Sequence, residues 1–282
     1  MLLDAHFHLW DPDSQSHGWL AAMPSLNRRF GPEDFEAAAR PAGVQAGVLV
    51  QSLASASETQ DLLAIAAQHA VVAGVVGWLD LERADVAAQI ELLRSLPGGE
   101  YLVGIRHLVQ DEADPRWLLR GAVGRGIDAL ADAGLVYDLL IRPAQLGAAL
   151  ALVADHQRVR FVLDHGAKPA IAERAFEPWA SMLAELASLP NVACKLSGLV
   201  TEAGAGWTAT QIDPYAAQLL DCFGPQRLLF GSDWPVCTLV ASHAAVFELA
   251  RAVLAPRLND EDLDAVFRAN AIAEYGLRVR PA

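Results

Sequence analysis

The chain has almost no lysine: of its 21 cationic residues, only Lys168 and Lys195 are lysine. Asp and Glu number 34, giving a net charge of −13, a balance that repels phosphate backbones and argues against nucleic acid or an anionic membrane as partner. Cysteine is scarce too. Cys194, Cys222 and Cys237 are odd in number and lack CxxC spacing, so neither a disulfide framework nor a thiolate zinc site is indicated, and a reducing compartment is expected. The uncharged apolar stretches 70–79 and 143–154 are too short to span a bilayer. The opening MLLDAHFHLW carries neither a basic start nor a small-residue cleavage site, and a cytoplasmic location is the expectation. No GxGxxG follows the first strand-like run and no Pro/Gly/Ser-rich linker divides the chain, which disfavours a dinucleotide fold and a second domain.

What is there is 282 residues, 53% hydrophobic and 20% charged, too apolar for intrinsic disorder. Eight apolar, β-rich runs recur, at 2–9, 46–52, 71–79, 101–108, 135–141, 159–165, 192–197 and 227–232. Between them lie segments of helical period. Ser57-Glu-Thr-Gln60 reads as a capping box before the face Leu62, Ile65, Ala66 and His69. A second stripe, Val86, Ile90 and Leu93, stops at Pro97-Gly98-Gly99, and a third, through Met182, Leu183, Leu186 and Leu189, stops at Pro190. Apolar strands alternating with helices mean a parallel sheet, and eight such units in one domain spanning 1–282 predict a single α/β (β/α)8 TIM barrel.

Polar residues collect where these strands end. The first run ends in His6-Phe7-His8, and side-chain alternation sends both imidazoles one way and Phe7 the other. The sixth ends in Asp164-His165, with Lys168 three residues on, and the eighth in Asp233-Trp234. All strand C-termini of a barrel open on one face, so His6, His8, His165 and Asp233 should surround one mouth. Asp164 should alternate away as a structural acceptor. Lys195, inside an apolar strand, is expected to face the mouth, because a buried ammonium needs a partner. Of Arg106 and His107 only one can face inward; Arg106 is favoured as a clamp on anions or hydroxyls. Trp10, Trp19, Trp207 and Trp234 follow strand ends and suit a sugar ring, and 198–213 reads as a polar loop over the mouth. Cys237 has no basic partner at fixed spacing, and His17, His69, His156 and His243 lie away from strand ends; all five read as structural.

The motifs DAHFHLW, VGIRHLVQDEAD, LDHGAKP, CKLSGLVTEA and FGPQRLLFGSDWPV, in that order, resemble the amidohydrolase superfamily in its lactonase-rich branch, with L-fucono-1,5-lactonase-like enzymes most similar. The resemblance implies that His6, His8, His165 and Asp233 are metal or catalytic positions. It also implies that Arg106, Lys168 and Lys195, with Trp10 and Trp234, surround the substrate. The bridging lysine of binuclear members is missing, since both lysines follow His165. The implied reaction is hydrolysis of a sugar-acid lactone, L-fucono-1,5-lactone or a related aldonolactone, with Asp233 as general base. No cofactor is required, and at most one zinc would be held by the three imidazoles and Asp233. Two alternatives stay open: a zinc-dependent decarboxylase or hydratase of an aromatic acid, and a non-catalytic barrel that binds a metabolite. The small-molecule lactone is the only partner expected, and the oligomeric state is left open.

Overall fold

The computed structural model describes residues 1–278, so the last four residues of the expected domain, 279–282, lie outside the described residues. The eight strands are β1 (Leu2–Phe7), β2 (Val44–Val50), β3 (Val72–Gly77), β4 (Leu102–His107), β5 (Val136–Leu139), β6 (Phe161–Leu163), β7 (Val192–Leu196) and β8 (Leu228–Phe230). They run parallel in sequence order. Beyond their ends, His8 N–H donates to the Trp234 carbonyl at 2.7 Å and Asp233 N–H to the His6 carbonyl at 2.9 Å. These bonds draw β8 against β1 into a nearly closed barrel of the (β/α)8 kind, each apolar strand being covered by the helix that follows it.

Two apolar layers result. Larger side chains such as Phe7, Leu49, Phe161 and Phe230 pack outward against the helices, while a narrower set, Leu3, Ala5, Val48, Val136, Val162, Ala193 and Leu229, fills the barrel. Tyr275, at the end of the helix Asn270–Tyr275, joins that inner set. The helix expected from a box at Ser57 starts earlier: Ala56–Gln68 is capped by Ser55, whose hydroxyl accepts from Glu58 N–H at 3.2 Å. The Glu58 side chain is committed elsewhere, accepting from the backbone N–H groups of Ser52 and Leu53. The stretch 198–213 is largely helical rather than a loop, in Leu199–Ala203 and Ala209–Phe223. Among the described residues no helix is long and apolar enough to cross a membrane.

Candidate active site

Strand β1 changes face before it reaches the site. Leu3 and Ala5 point into the barrel, so strict alternation would turn His6 outward; a register shift against β2 between Asp4 and Phe7 restores it inward. Asp4 absorbs the irregularity: its Oδ1 accepts from His6 N–H at 3.0 Å and Ser232 N–H at 2.9 Å, and its Oδ2 from His243 Nε2 at 3.0 Å. His6 and His8 therefore share the inner face, as expected, with Phe7 stacked outside on Phe35.

At the end of β6 the inner position belongs to Asp164, in line with Val162. This corrects the expectation that Asp164 turns away. His165 reaches the mouth by another route, a left-handed backbone with φ 54° that breaks the alternation. It also requires Gly198, where a Cβ would lie 2.7 Å from the His165 ring at a backbone φ of +68°. Asp233 has φ 58°, a second strained position at the same mouth.

The atoms converge closely. His6 Nε2 lies 3.1 Å from His8 Nε2, and Asp233 Oδ1 lies 3.4 Å from His8 Nε2, 3.7 Å from His6 Nε2 and 3.9 Å from His165 Nε2. Burial pushes the His165 imidazole down to about 4, and for Asp233 the upward push of burial is outweighed by His165, His8 and His6, which hold its carboxyl below the usual range. Burial likewise lowers the His6 imidazole well below its usual value, so the His6 and His165 rings are neutral at neutral pH and Asp233 is ionised.

Above this cluster opens a cavity of about 350 Å³ lined by His8, Trp10, Trp19, Arg106, His165, Lys168 and Asp233, with Arg142 at its edge. Hollows of about 440 and 510 Å³ lie elsewhere but contain no such cluster; chemistry rather than volume selects the site. Arg106 faces inward, with Nη1 2.9 Å from Asp164 Oδ2, Nη2 on the Gln51 carbonyl and its buried Nε–H unpaired. His107 faces outward, stacked on Trp117. Lys168 Nζ lies 3.7 Å from Glu202 Oε1 across the mouth.

Two residues expected around the substrate do not line the cavity. Trp234 is 3% exposed and packs edge-on against Phe30, away from the cavity, because the chain turns outward after Asp233. Lys195 does face inward but sits one layer below the mouth, fully buried. Its Nζ lies 2.5 Å from Asp138 Oδ2, 2.9 Å from Asp164 Oδ1 and 3.1 Å from His6 Nδ1. Asp138 was missed by the sequence reasoning, although an acid inside the apolar run Val136-Tyr-Asp-Leu139 carries the same signal as Lys195. Both Asp138 oxygens also accept from the Tyr275 hydroxyl, at 2.9 and 3.0 Å. Nothing local in the sequence marks Tyr275, Asp4 or Gly198.

His6, His165 and Asp233 offer donor atoms all within 4.8 Å of one another. Ligands around a tetrahedral zinc sit about 3.3 Å apart for bonds of ~2.0–2.1 Å, a little less than the 3.7 and 3.9 Å from Asp233 Oδ1 to His6 and His165. Spacing therefore suits a single divalent ion. Behind the His6 ring, Nδ1 has both the Lys195 ammonium at 3.1 Å and Asp164 Oδ1 at 3.3 Å.

A barrel with this mouth is the architecture of amidohydrolases, and the amidohydrolase family model matches residues 3–277; the chain belongs to that family. Two L-fucono-1,5-lactonases are similar to it. That of Burkholderia ambifaria is 42% identical over 84% of this chain and 81% of its own, and that of Burkholderia multivorans 39% identical over 98% and 96%. A solved Burkholderia multivorans amidohydrolase with bound zinc superposes with a TM-score of 0.93 at 37% identity, covering 99% of this chain and 100% of that one.

Proposed function

We propose that this enzyme is a lactonase that hydrolyses a sugar-acid lactone, L-fucono-1,5-lactone or a related aldonolactone, to its aldonic acid, with Asp233 as general base. The observation that carries this reading is the Asp233 carboxylate set among imidazoles at the floor of a cavity rimmed by Arg106 and Lys168, in a chain about 40% identical to L-fucono-1,5-lactonases.

Hydrogen-bond partners divide the roles. His8 Nδ1 lies 2.7 Å from the Val50 carbonyl, which only accepts, so Nδ1 carries a hydrogen. His165 Nδ1 lies 2.8 Å from the Ser197 hydroxyl; with that hydroxyl donating, the ring hydrogen sits on Nε2, ready for the lactone carbonyl. Asp233 takes a proton from water as its oxygen attacks the carbonyl carbon. His165 Nε2–H, Arg106 and Lys168 stabilise the oxyanion. Collapse breaks the ring C–O bond, and protonated Asp233 returns its proton to the departing alkoxide. A divalent ion, if bound, would supply Lewis-acid polarisation of the same carbonyl; the steps above use only the chain's own groups, and we propose that none is required. Trp10 offers an apolar wall for the sugar face.

The test is a panel of aldonolactones followed by acid release with a pH indicator, using the wild type and Asp233→Asn. The variant should fold and lose about three orders of magnitude in kcat, within the range set by general base catalysis. Undiminished turnover would remove Asp233 from the mechanism, and no turnover of any lactone by the wild type would remove the function.

A further inference from the structure

We infer that Trp179 is a positioning residue: its indole hydrogen holds a left-handed turn at 165–168 that presents His165 and Lys168 together to the cavity. The kinetic part of this inference rests on the lactonase reading; the conformational part does not.

Four consecutive residues after Asp164 have left-handed backbone, with φ of 54° at His165, 55° at Gly166, 62° at Ala167 and 53° at Lys168. L-residues avoid this hand, because Cβ is driven against the following carbonyl oxygen, and those that adopt it do so singly. Only Gly166 escapes that penalty. A Cβ at Gly166 would also lie 2.8 Å from the Leu219 side chain. Three strained residues in a row persist only where their surroundings over-determine the conformation.

The turn has a use. Residues three apart lie over one another in a tight helical turn, and His165 and Lys168 both line the cavity. Had β6 continued as a strand, alternation would send them to opposite faces. Lys168 N–H closes the turn on the His165 carbonyl at 2.9 Å. The next carbonyl, that of buried Gly166, should by the same pattern receive the N–H of residue 169. Residue 169 is Pro169, which has none. This carbonyl must find its donor off the turn.

Trp179 supplies it. Its Nε1–H donates to the Gly166 carbonyl at 2.7 Å. Trp179 is 2% exposed, opens the helix Trp179–Ala187, and has the Phe176 and Tyr215 rings at 5.6 and 5.5 Å, so the donor is fixed by packing. The other ties act on side chains. His165 Nδ1 meets Ser197 Oγ at 2.8 Å, and Lys168 Nζ lies 3.7 Å from Glu202. The indole is the tie on the backbone between them.

Trp179→Phe keeps a ring in this cluster and removes the one hydrogen, leaving a buried carbonyl without a donor. Per folded molecule, kcat should fall about 10- to 100-fold, as a displacement of about 1 Å at the reacting groups would cause, with KM changed less. Two comparison variants separate positioning from packing. Phe176→Leu truncates a ring of the same cluster without touching Gly166, and should lower Tm while leaving kcat within about twofold; a kcat loss as large as that of Trp179→Phe overturns the inference. Adding Ala167→Gly to Trp179→Phe lets position 167 take its φ of 62° without strain, and should restore kcat at least about fivefold; no recovery overturns it. Deuterium exchange needs no substrate. The Lys168 amide should exchange at least about tenfold faster in Trp179→Phe than in wild type and slow again in the double variant; equal rates in all three overturn the inference. If Trp179→Phe fails to fold, the wild type still tests the tie: its Trp179 indole hydrogen should outlast that of Trp19 on the cavity wall, and equal exchange overturns the inference. A wild type that turns over no lactone removes the lactonase reading and leaves exchange to judge the turn.

Discussion

Replacing Tyr275 by phenylalanine would test whether the C-terminal helix is bonded into the barrel by one hydroxyl. The Tyr275 ring is 3% exposed and belongs to the inner apolar set, so phenylalanine keeps the packing and removes only the oxygen that donates to both Asp138 carboxylate atoms. A hydrogen bond to a charged group contributes about 1.5–3 kcal/mol. Lys195 still holds Asp138 in the variant, which favours the middle of that range, about 2 kcal/mol. For a chain of this size each kcal/mol moves Tm by roughly 2–4 °C, so a fall of about 4–8 °C is expected at pH 8.

The difference should depend on pH, with a definite sign. Burial raises the Asp138 carboxyl to about 6 against an ordinary 3.8, Lys195 only partly opposing it. The folded protein therefore takes up this proton before the unfolded chain does, and the burden of burying the charge is lifted as pH falls through about 6. Below that point Tyr275 donates to a neutral acid, a bond of about 1 kcal/mol. Differential scanning calorimetry of both proteins at pH 8 and pH 5 should show the Tm gap narrowing to about half. A gap below about 1 °C at pH 8, or one that is the same at both pH values, would refute the reasoning.

His165 acts with the opposite sign. Its folded value of about 4 lies below the ordinary 6.5 because of burial, so the unfolded chain binds the proton first and stability falls as pH drops from 6.5 towards 4, by up to about 1.4 kcal/mol per pH unit. Since Asp138 opposes this in part of the window, the readout is the difference: folded His165→Gln should lose stability less steeply than wild type between pH 6.5 and 4.5, and equal slopes would disprove the assignment. Exhaustive chelation should leave most lactonase activity in place, with at most one metal ion per chain before treatment. Metal-free protein that is inactive and revived by zinc would show that the electrophile is an ion, not His165, Arg106 and Lys168.

The barrel was legible because its signal is repeated: each of the eight apolar runs overlaps an observed strand, with ends displaced by a few residues. The site was legible only where regular alternation holds or two departures cancel. His6 and His8 were placed on one face by counting in twos, and this succeeded because the irregularity at Asp4 lies upstream of both. Counting in twos failed at Asp164-His165, where a left-handed backbone brings both side chains to the same side. The depth of a residue along the strand was not legible either. Lys195 faces inward as expected, but the sequence does not say that the cavity floor, with His8, His165 and Asp233, lies above its ammonium. Long-range partners leave still less trace: Tyr275 meets Asp138 across 137 residues of chain.

The scarcity of lysine takes on meaning at this depth. A guanidinium donates in a planar fork and an ammonium donates outward from one atom. Arg106 uses the fork, with Nη1 on Asp164 and Nη2 on the Gln51 carbonyl. Around Lys195 the acceptors Asp138 Oδ2, Asp164 Oδ1 and His6 Nδ1 all lie within 3.1 Å of a single nitrogen. A planar fork cannot serve three acceptors gathered round a point, and its greater bulk has no room in an interior filled by Ala5, Ala193 and Val162. Arginine supplies nearly all the positive charge of this chain, yet position 195 needs the compact cation.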